Sequence, residues 1–213
     1  MKNYFIWGAT GQSMVLYEAL SYKNWNLIGI YDRNSTVKNP FPFIQLFHDE
    51  SRFMDHLYSF SNLFFVVAIG GAGGKDRIEL HERLCDRGFQ PILATHPTAN
   101  IATDAELGEG SQVLINSTVC SRVKTGRQVI INSGAIVDHE SKLADGVHIG
   151  PGAVLTGLVI VGANTFIGSG SVVLPRIKIG SNSIIGAGSV VTKDIADGVV
   201  AYGNPCKVIR NNN

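Results

Sequence analysis

Cysteine is scarce in this chain. Cys85, Cys120 and Cys206 are the only three in 213 residues. They lie far apart and are odd in number, which excludes a disulfide framework and points to a reducing compartment. A charge excess of either sign is also missing: 18 Lys and Arg against 17 Asp and Glu leave a net charge of +1. The basic residues are scattered rather than gathered into the stripe that nucleic acid requires. No long hydrophobic run is present, and the longest, Leu63 to Ile69, is far too short to cross a bilayer. No basic-then-apolar leader opens the chain, since Met1 to Gly11 runs straight into a strand and a turn. The expectation is a soluble, cytoplasmic protein with neither nucleic acid nor membrane as partner.

What is present divides in two. Both tryptophans and nearly all the phenylalanines precede residue 97, after which Gly, Ser, Val and Ile take over. We therefore expect one domain over residues 1–97 and a second over 98–213. In the first, Asn3 to Trp7 reads as a buried strand and Gly8-Ala9-Thr10-Gly11-Gln12-Ser13 as a turn into a helix from about Met14 to Ser21. Leu27 to Tyr31 is a second strand, closed by Asp32. Such a unit presents N–H groups at a helix start to phosphate and an acid to a ribose or a base. The spacing is Gly-x-x-Gly rather than the full dinucleotide pattern, which disfavours a nicotinamide enzyme. Leu63 to Ile69 reads as a central strand ending in Gly70-Gly71-Ala72-Gly73-Gly74, Lys75 to Arg87 as a helix with Ile78 and Leu84 inward, and Pro91 to Ala94 as a last strand. Gly8, Asp32 and Gly70 converge where such sheets bind ligands.

The second part is a run of sixteen hexapeptides from Ile101 to about Ala196. Every sixth residue, from Ile101, Leu107 and Val113 through to Val191, is aliphatic except Thr125, and four positions after each sits a small or β-branched residue. A period of six with alternation inside it means short strands joined by turns, hence a parallel β-helix of eighteen-residue triangular coils. At the spacing of parallel strands the prism is roughly 25 Å long. Gly often follows the register residue, as at Gly108, Gly150 and Gly168, which suits a corner needing positive φ or close backbone approach. The tail Asn211 to Asn213 is expected to be disordered.

One corner breaks the pattern. Asp138-His139-Glu140 places three ionisable side chains where the repeat needs only small or turn-forming ones. An imidazole flanked by carboxylates is oriented by them and suited to general-base work near neutral pH. His148 follows half a coil later. Two histidines at this spacing, with no cysteine nearby, lack a tetrahedral zinc set, so no metal is expected.

Here the chain resembles a family. The repeats are similar to those of the left-handed β-helix acyltransferases. Gly8-Ala9-Thr10-Gly11, Tyr31-Asp32, Ala68-Ile69-Gly70, Ile131-Asn132, Val137-Asp138-His139-Glu140, His148 to Ala153 and Gly203-Asn204-Pro205 together resemble the bacterial nucleotide-sugar acetyltransferases related to sialic acid O-acetyltransferase. The resemblance implies a Rossmann-like nucleotide-binding α/β domain before a left-handed β-helix, a homotrimer, and transfer of acetyl from acetyl-CoA to an amino group, less often a hydroxyl, of a nucleotide-linked sugar. It implies His139 as base, Glu140 as its tuner, and Asn132 near the sugar. It implies acetyl-CoA beside His148, Gly157, Ser169 and Ala187. The nucleotide falls to Gly8, Thr10, Gly11, Gln12, Asp32, Arg33 and Gly70. Three positions depart from the family's pattern: Gln12 stands where His is common, Arg33 where a second acid follows, and Gly71 where Asn is usual. Two other classes remain open at this point: a non-catalytic nucleotide-binding trimer, and a γ-type carbonic anhydrase, which needs three zinc-binding histidines where the repeats hold two.

Overall fold

The structure, a computed structural model, describes residues 1–212. Its amino-terminal part runs β1 (Lys2–Trp7), α1 (Gly11–Ser21), β2 (Trp25–Tyr31), β3 (Leu46–Phe47), α2 (Glu50–Tyr58), β4 (Phe64–Val67), α3 (Gly74–Asp86) and β5 (Gln90–Pro91). The five strands form one parallel sheet in the order β3-β2-β1-β4-β5. Alternate residues of β1 face opposite sides, as a pleated strand dictates. Tyr4 and Ile6 pack with Leu16 and Leu20 of α1, while Phe5 and Trp7 pack with Phe53, Leu57, Leu80 and Leu84 of α2 and α3. The α1 side of this core also takes in Leu114 and Ile130 from the carboxy-terminal part, so the two halves share apolar packing.

That second half is a three-faced prism. The first face stacks Ala94–Thr95, Gln112–Val113, Ile130–Ile131, His148–Ile149, Phe166–Ile167 and Ile184–Ile185. The second stacks six pairs from Asn100–Ile101 to Val190–Val191, and the third four pairs from Lys124–Thr125 to Lys178–Ile179. Partners differ by eighteen residues, as with Ile136 and Val154. Backbone bonds tie each coil to the next: Gln112 N–H donates to Val129 O (2.8 Å) and Ile130 N–H to Val147 O (2.9 Å). The register residues fill the axis, with Val113, Val137, Leu155 and Val173 fully buried. Thr125, the polar exception, is half-buried and accepts from Gly108 N–H (3.0 Å).

Several expectations need correction. The residues Gly11 to Ser13 are not a turn before the helix but its first turn, held by Ser13 Oγ donating to Thr10 O (2.6 Å). The strand expected at Pro91 to Ala94 is split between two sheets: Gln90–Pro91 pairs with β4, and Ala94–Thr95 pairs with Gln112–Val113. In α3, Arg77, Leu80, His81 and Leu84 are buried and Ile78 is only half-buried, a shift of one residue in the inward face. The glycines after register residues serve close approach rather than positive φ; a Cβ on Gly150 would lie 2.7 Å from Ile167 O. The left-handed residues stand two places further on, among them Asn116, Gln128, Glu140 and Asn164. The tail is ordered as far as it is described. Lys207–Asn211 pairs antiparallel with Val199–Tyr202, which covers the open edge of the first face, and Asn212 N–H donates to Gly198 O (2.7 Å). Asn213 lies outside the described residues. Among the described residues no helix is long and apolar enough to cross a membrane.

Candidate active site

Two loci carry the polar residues singled out by sequence. The first is a cleft of about 700 Å³ at the carboxyl ends of β1, β2 and β4, where β1 lies between strands whose connections leave in opposite directions. Gly8, Thr10, Asp32, Arg33 and Gly70 line it. Asp32 braces the floor: Oδ2 accepts from Ala9 N–H (2.9 Å) and Oδ1 from Asn34 N–H (2.9 Å). Gly8 is required there, because a Cβ would meet Ala68 O at 2.7 Å and its φ is +105°. Thr10, which lines the cleft, caps α1 without a side-chain bond, while Gly11, the first residue of the helix, is not part of the lining, and Ser13 N–H is taken by Thr10 O (2.9 Å).

Gln12 departs from expectation. Its Nε2 donates to Gln112 Oε1 (2.6 Å) on the prism, so its amide serves the contact between the two halves rather than the cleft. The cleft also has a wall that sequence reading passed over: Trp7, Tyr31, Glu50, and Asp76, Glu79, Leu80 and Arg83 of α3. The Arg83 guanidinium sits 4.9 Å from the Trp7 ring centre while donating to Glu50 Oε1 (3.0 Å). Positions 76, 79, 80 and 83 share one face of α3, but three of the four are charged, so no apolar stripe marks that face in the sequence.

The second locus is the corner between the second and third faces. His139 is half exposed, its Nδ1 3.4 Å from Glu140 Oε1. Asp138 Oδ1 accepts from His139 N–H (2.7 Å), and the turn is completed by Glu140 in the left-handed region at φ 59°. One coil further on, Gly157 leaves the room that the imidazole fills, for a Cβ there would overlap the ring. One coil back stands Cys120; burial first, and then the Asp138 carboxylate, raise its pKa.

Asn132, Ser169 and Ala187 stand on a different corner, between the first and second faces. A single chain therefore separates them from His139 and Gly157 by the whole width of the second face. That face is apolar, with Ile136, Val154, Val172 and Val190 pointing outward and Ile136 38% exposed. His148 is elsewhere again. It is buried on the first face, with Nδ1–H donating to Gly71 O (3.1 Å) and Nε2 accepting from Asn132 Nδ2 (3.0 Å). Asn132 is itself oriented by Ser133 N–H, which donates to its Oδ1 (2.8 Å). Burial, and then the Arg77 charge, hold the His148 pKa down to about 4, against the weaker opposing effect of the Gly71 bond. This histidine is neutral and fully engaged, not an open imidazole on a coil.

A family model described as bacterial transferase hexapeptide (six repeats) matches residues 159–193. A histidine mutant of perosamine N-acetyltransferase from Caulobacter crescentus, solved with CoA and GDP-perosamine, is 30% identical, with TM-score 0.91, over 99% of this chain and 98% of that one. PerB from the same organism, with the same ligands, is 31% identical, with TM-score 0.88, over 98% of both chains. This chain belongs to the hexapeptide-repeat sugar acetyltransferases. The acetyltransferase domain of PglB from Neisseria gonorrhoeae, in complex with acetyl coenzyme A, is 28% identical, with TM-score 0.86, over 98% of this chain and 99% of that one. The sugar acetyltransferase described here is accordingly an acyltransferase whose prism is a left-handed β-helix.

The buried His148 generates a test. Its folded pKa, about 4, lies below its ordinary 6.5, so the unfolded chain binds the extra proton between these values. Its stabilisation is complete above pH 6.5, is lost as pH falls towards 4, and amounts to about 3 kcal/mol. Denaturant unfolding of His148→Asn is expected to show a shallower loss of stability over that window than the wild type; identical slopes would refute the assignment.

Proposed function

We propose that this enzyme transfers acetyl from acetyl-CoA to the amino group of a nucleotide-linked amino sugar, directly and with His139 as general base. The observation that carries the reading is the half-exposed His139 ring seated over Gly157 with Nδ1 towards Glu140, at the edge of an uncovered apolar face. The neutral amine attacks the thioester carbonyl while Nε2 takes its proton. The tetrahedral oxyanion then collapses, the C–S bond breaks, and the proton passes to the departing CoA sulfur. Glu140 steadies the imidazolium. The Gly157 N–H, which has no acceptor among the described residues, is the donor we assign to the oxyanion.

The α/β part, which ends before Ala94–Thr95 joins the first face of the prism, is the nucleotide-sugar module: diphosphate at the start of α1 beside Gly8, Thr10 and Gly11, and ribose or base towards Asp32, Arg33 and Gly70. The prism is the acetyl-transfer module. We infer a homotrimer, because the two corners flanking the second face each hold part of the machinery. A neighbouring copy packed on that face brings His139 and Gly157 of one prism opposite Asn132, Ser169 and Ala187 of the next, which supplies both walls of an acetyl-CoA groove. Three free thiols accord with work in the cytoplasm.

The deciding experiment is an assay of free thiol release with nucleotide-linked amino sugars. His139→Ala is expected to lower kcat by about 10²–10⁴-fold with little change in the KM for acetyl-CoA, and Glu140→Gln to cost less. Wild-type turnover by His139→Ala eliminates the mechanism. For the cleft, Asp32→Ala should raise the KM for the nucleotide sugar and leave that for acetyl-CoA nearly unchanged; equal effects on both sink that assignment. Trimerisation is checked by sedimentation, where a fully active monomer at micromolar concentration contradicts a shared groove.

A further inference from the structure

The segment that leaves β4 is gripped at alternate carbonyls. Val67 O accepts from Gln112 Nε2 (2.8 Å), Ile69 O from Arg77 Nη1 (3.0 Å), and Gly71 O from His148 Nδ1 (3.1 Å). All three donors are buried side chains, Gln112 and Arg77 completely so. Gln112 and His148 project from the first face two coils apart, roughly 10 Å at parallel-strand spacing, and Ile130 lies fully buried between them. Residues 67 to 71 therefore run along the prism axis.

Arg77 completes the grip from the other side. Its Nε donates to Gln128 O (3.1 Å) and its Nη2 to Gly146 O (2.6 Å), two positions stacked on the corner between the third and first faces. A guanidinium with no carboxylate partner among the described residues, its pKa lowered by burial to about 10, is costly to place inside a protein. Apolar packing alone could have joined the halves, as Leu114 and Ile130 do. What three fixed carbonyl contacts add is register. The opposite side of the same segment, at Ala68, Ile69 and Gly70, lines the nucleotide cleft. Gln12, in the first turn of α1, is tied into the network through Gln112.

We propose that Gln112 and Arg77 are positioning residues that set the register between the nucleotide cleft and the catalytic prism. They touch no reacting atom. Each module binds its own ligand, and the grip on Val67 to Gly71 aligns the sugar amine with the thioester. This inference rests on the acetyl transfer proposed above.

The test uses the intact enzyme and the variants Gln112→Met, Arg77→Met and Arg77→Lys. Calorimetric binding of GDP or UDP, whichever the wild type holds, and the KM for acetyl-CoA are expected to stay within about twofold, while kcat falls about ten- to a hundredfold, the scale of a small misalignment. Arg77→Lys, which keeps a cationic donor, should recover part of the loss in Arg77→Met. A purely structural role predicts something else: the calorimetric stoichiometry and the apparent kcat fall together with the folded fraction at constant KM, and kcat per nucleotide-binding site stays at the wild-type value. That outcome, or kcat within about twofold of wild type in both methionine variants, overturns the inference. If Arg77→Met does not fold, Gln112→Met and Arg77→Lys decide alone. A wild type inert towards every nucleotide-linked amino sugar sinks the acetyl-transfer reading and this one together, whereas an active wild type with unimpaired variants sinks only this one.

Discussion

Stacking in steps of eighteen residues is the constraint on which the prism depends. Each coil donates its backbone N–H groups to the next, so residues eighteen apart become neighbours regardless of their chemistry. The narrow axis accepts only aliphatic side chains of moderate size, and Val113, Val137 and Leu155 meet that demand. The outward positions are released from packing, and chemistry can accumulate there in columns. His139 has its slot because Gly157 stands one coil on, and Cys120 meets Asp138 for the same reason. Arg77 finds two carbonyls to satisfy because Gln128 and Gly146 are one coil apart.

The three faces have separate fates. The first is covered by the α/β part, and its outward residues Gln112, Ile130 and His148 are consequently buried. The second presents an apolar stripe, with His139 on the corner at one side and Asn132 on the corner at the other. The third is the charged face, with Lys124, Lys142 and Lys178 pointing outward and Lys124 paired to Glu106 at 2.8 Å. Burial of the first face also decides the state of His148. An imidazole with one nitrogen donating to Gly71 O and the other accepting from Asn132 cannot shuttle protons without breaking the contact between the halves. His139, on a corner and half exposed, is free to do so.

Much of this was legible in the residues themselves. The six-residue period, the aliphatic register and the charged intrusion at Asp138 to Glu140 are local properties, and each has one structural outcome because a coil of the prism is built from consecutive residues. The strand, Gly turn, helix and acid of the first forty residues are likewise local, and Gly8, Thr10, Asp32 and Gly70 do meet in one cleft.

What the tertiary structure alone decided is what happens where the two halves touch. Gln12 appears from its place in the turn to belong to a ligand, yet it bonds to Gln112, a hundred residues away. Arg77 is a charged residue on a helix and yet completely buried, because the carbonyls that satisfy it come from the loop after β4 and from two coils of the prism. His148, expected from the resemblance beside acetyl-CoA, is buried against the α/β part, whereas His139 is half exposed. The physical reason is common to all three: hydrogen-bond partners and burial depend on surfaces that meet only after each half has folded, and no period within one segment encodes the face its neighbour will cover.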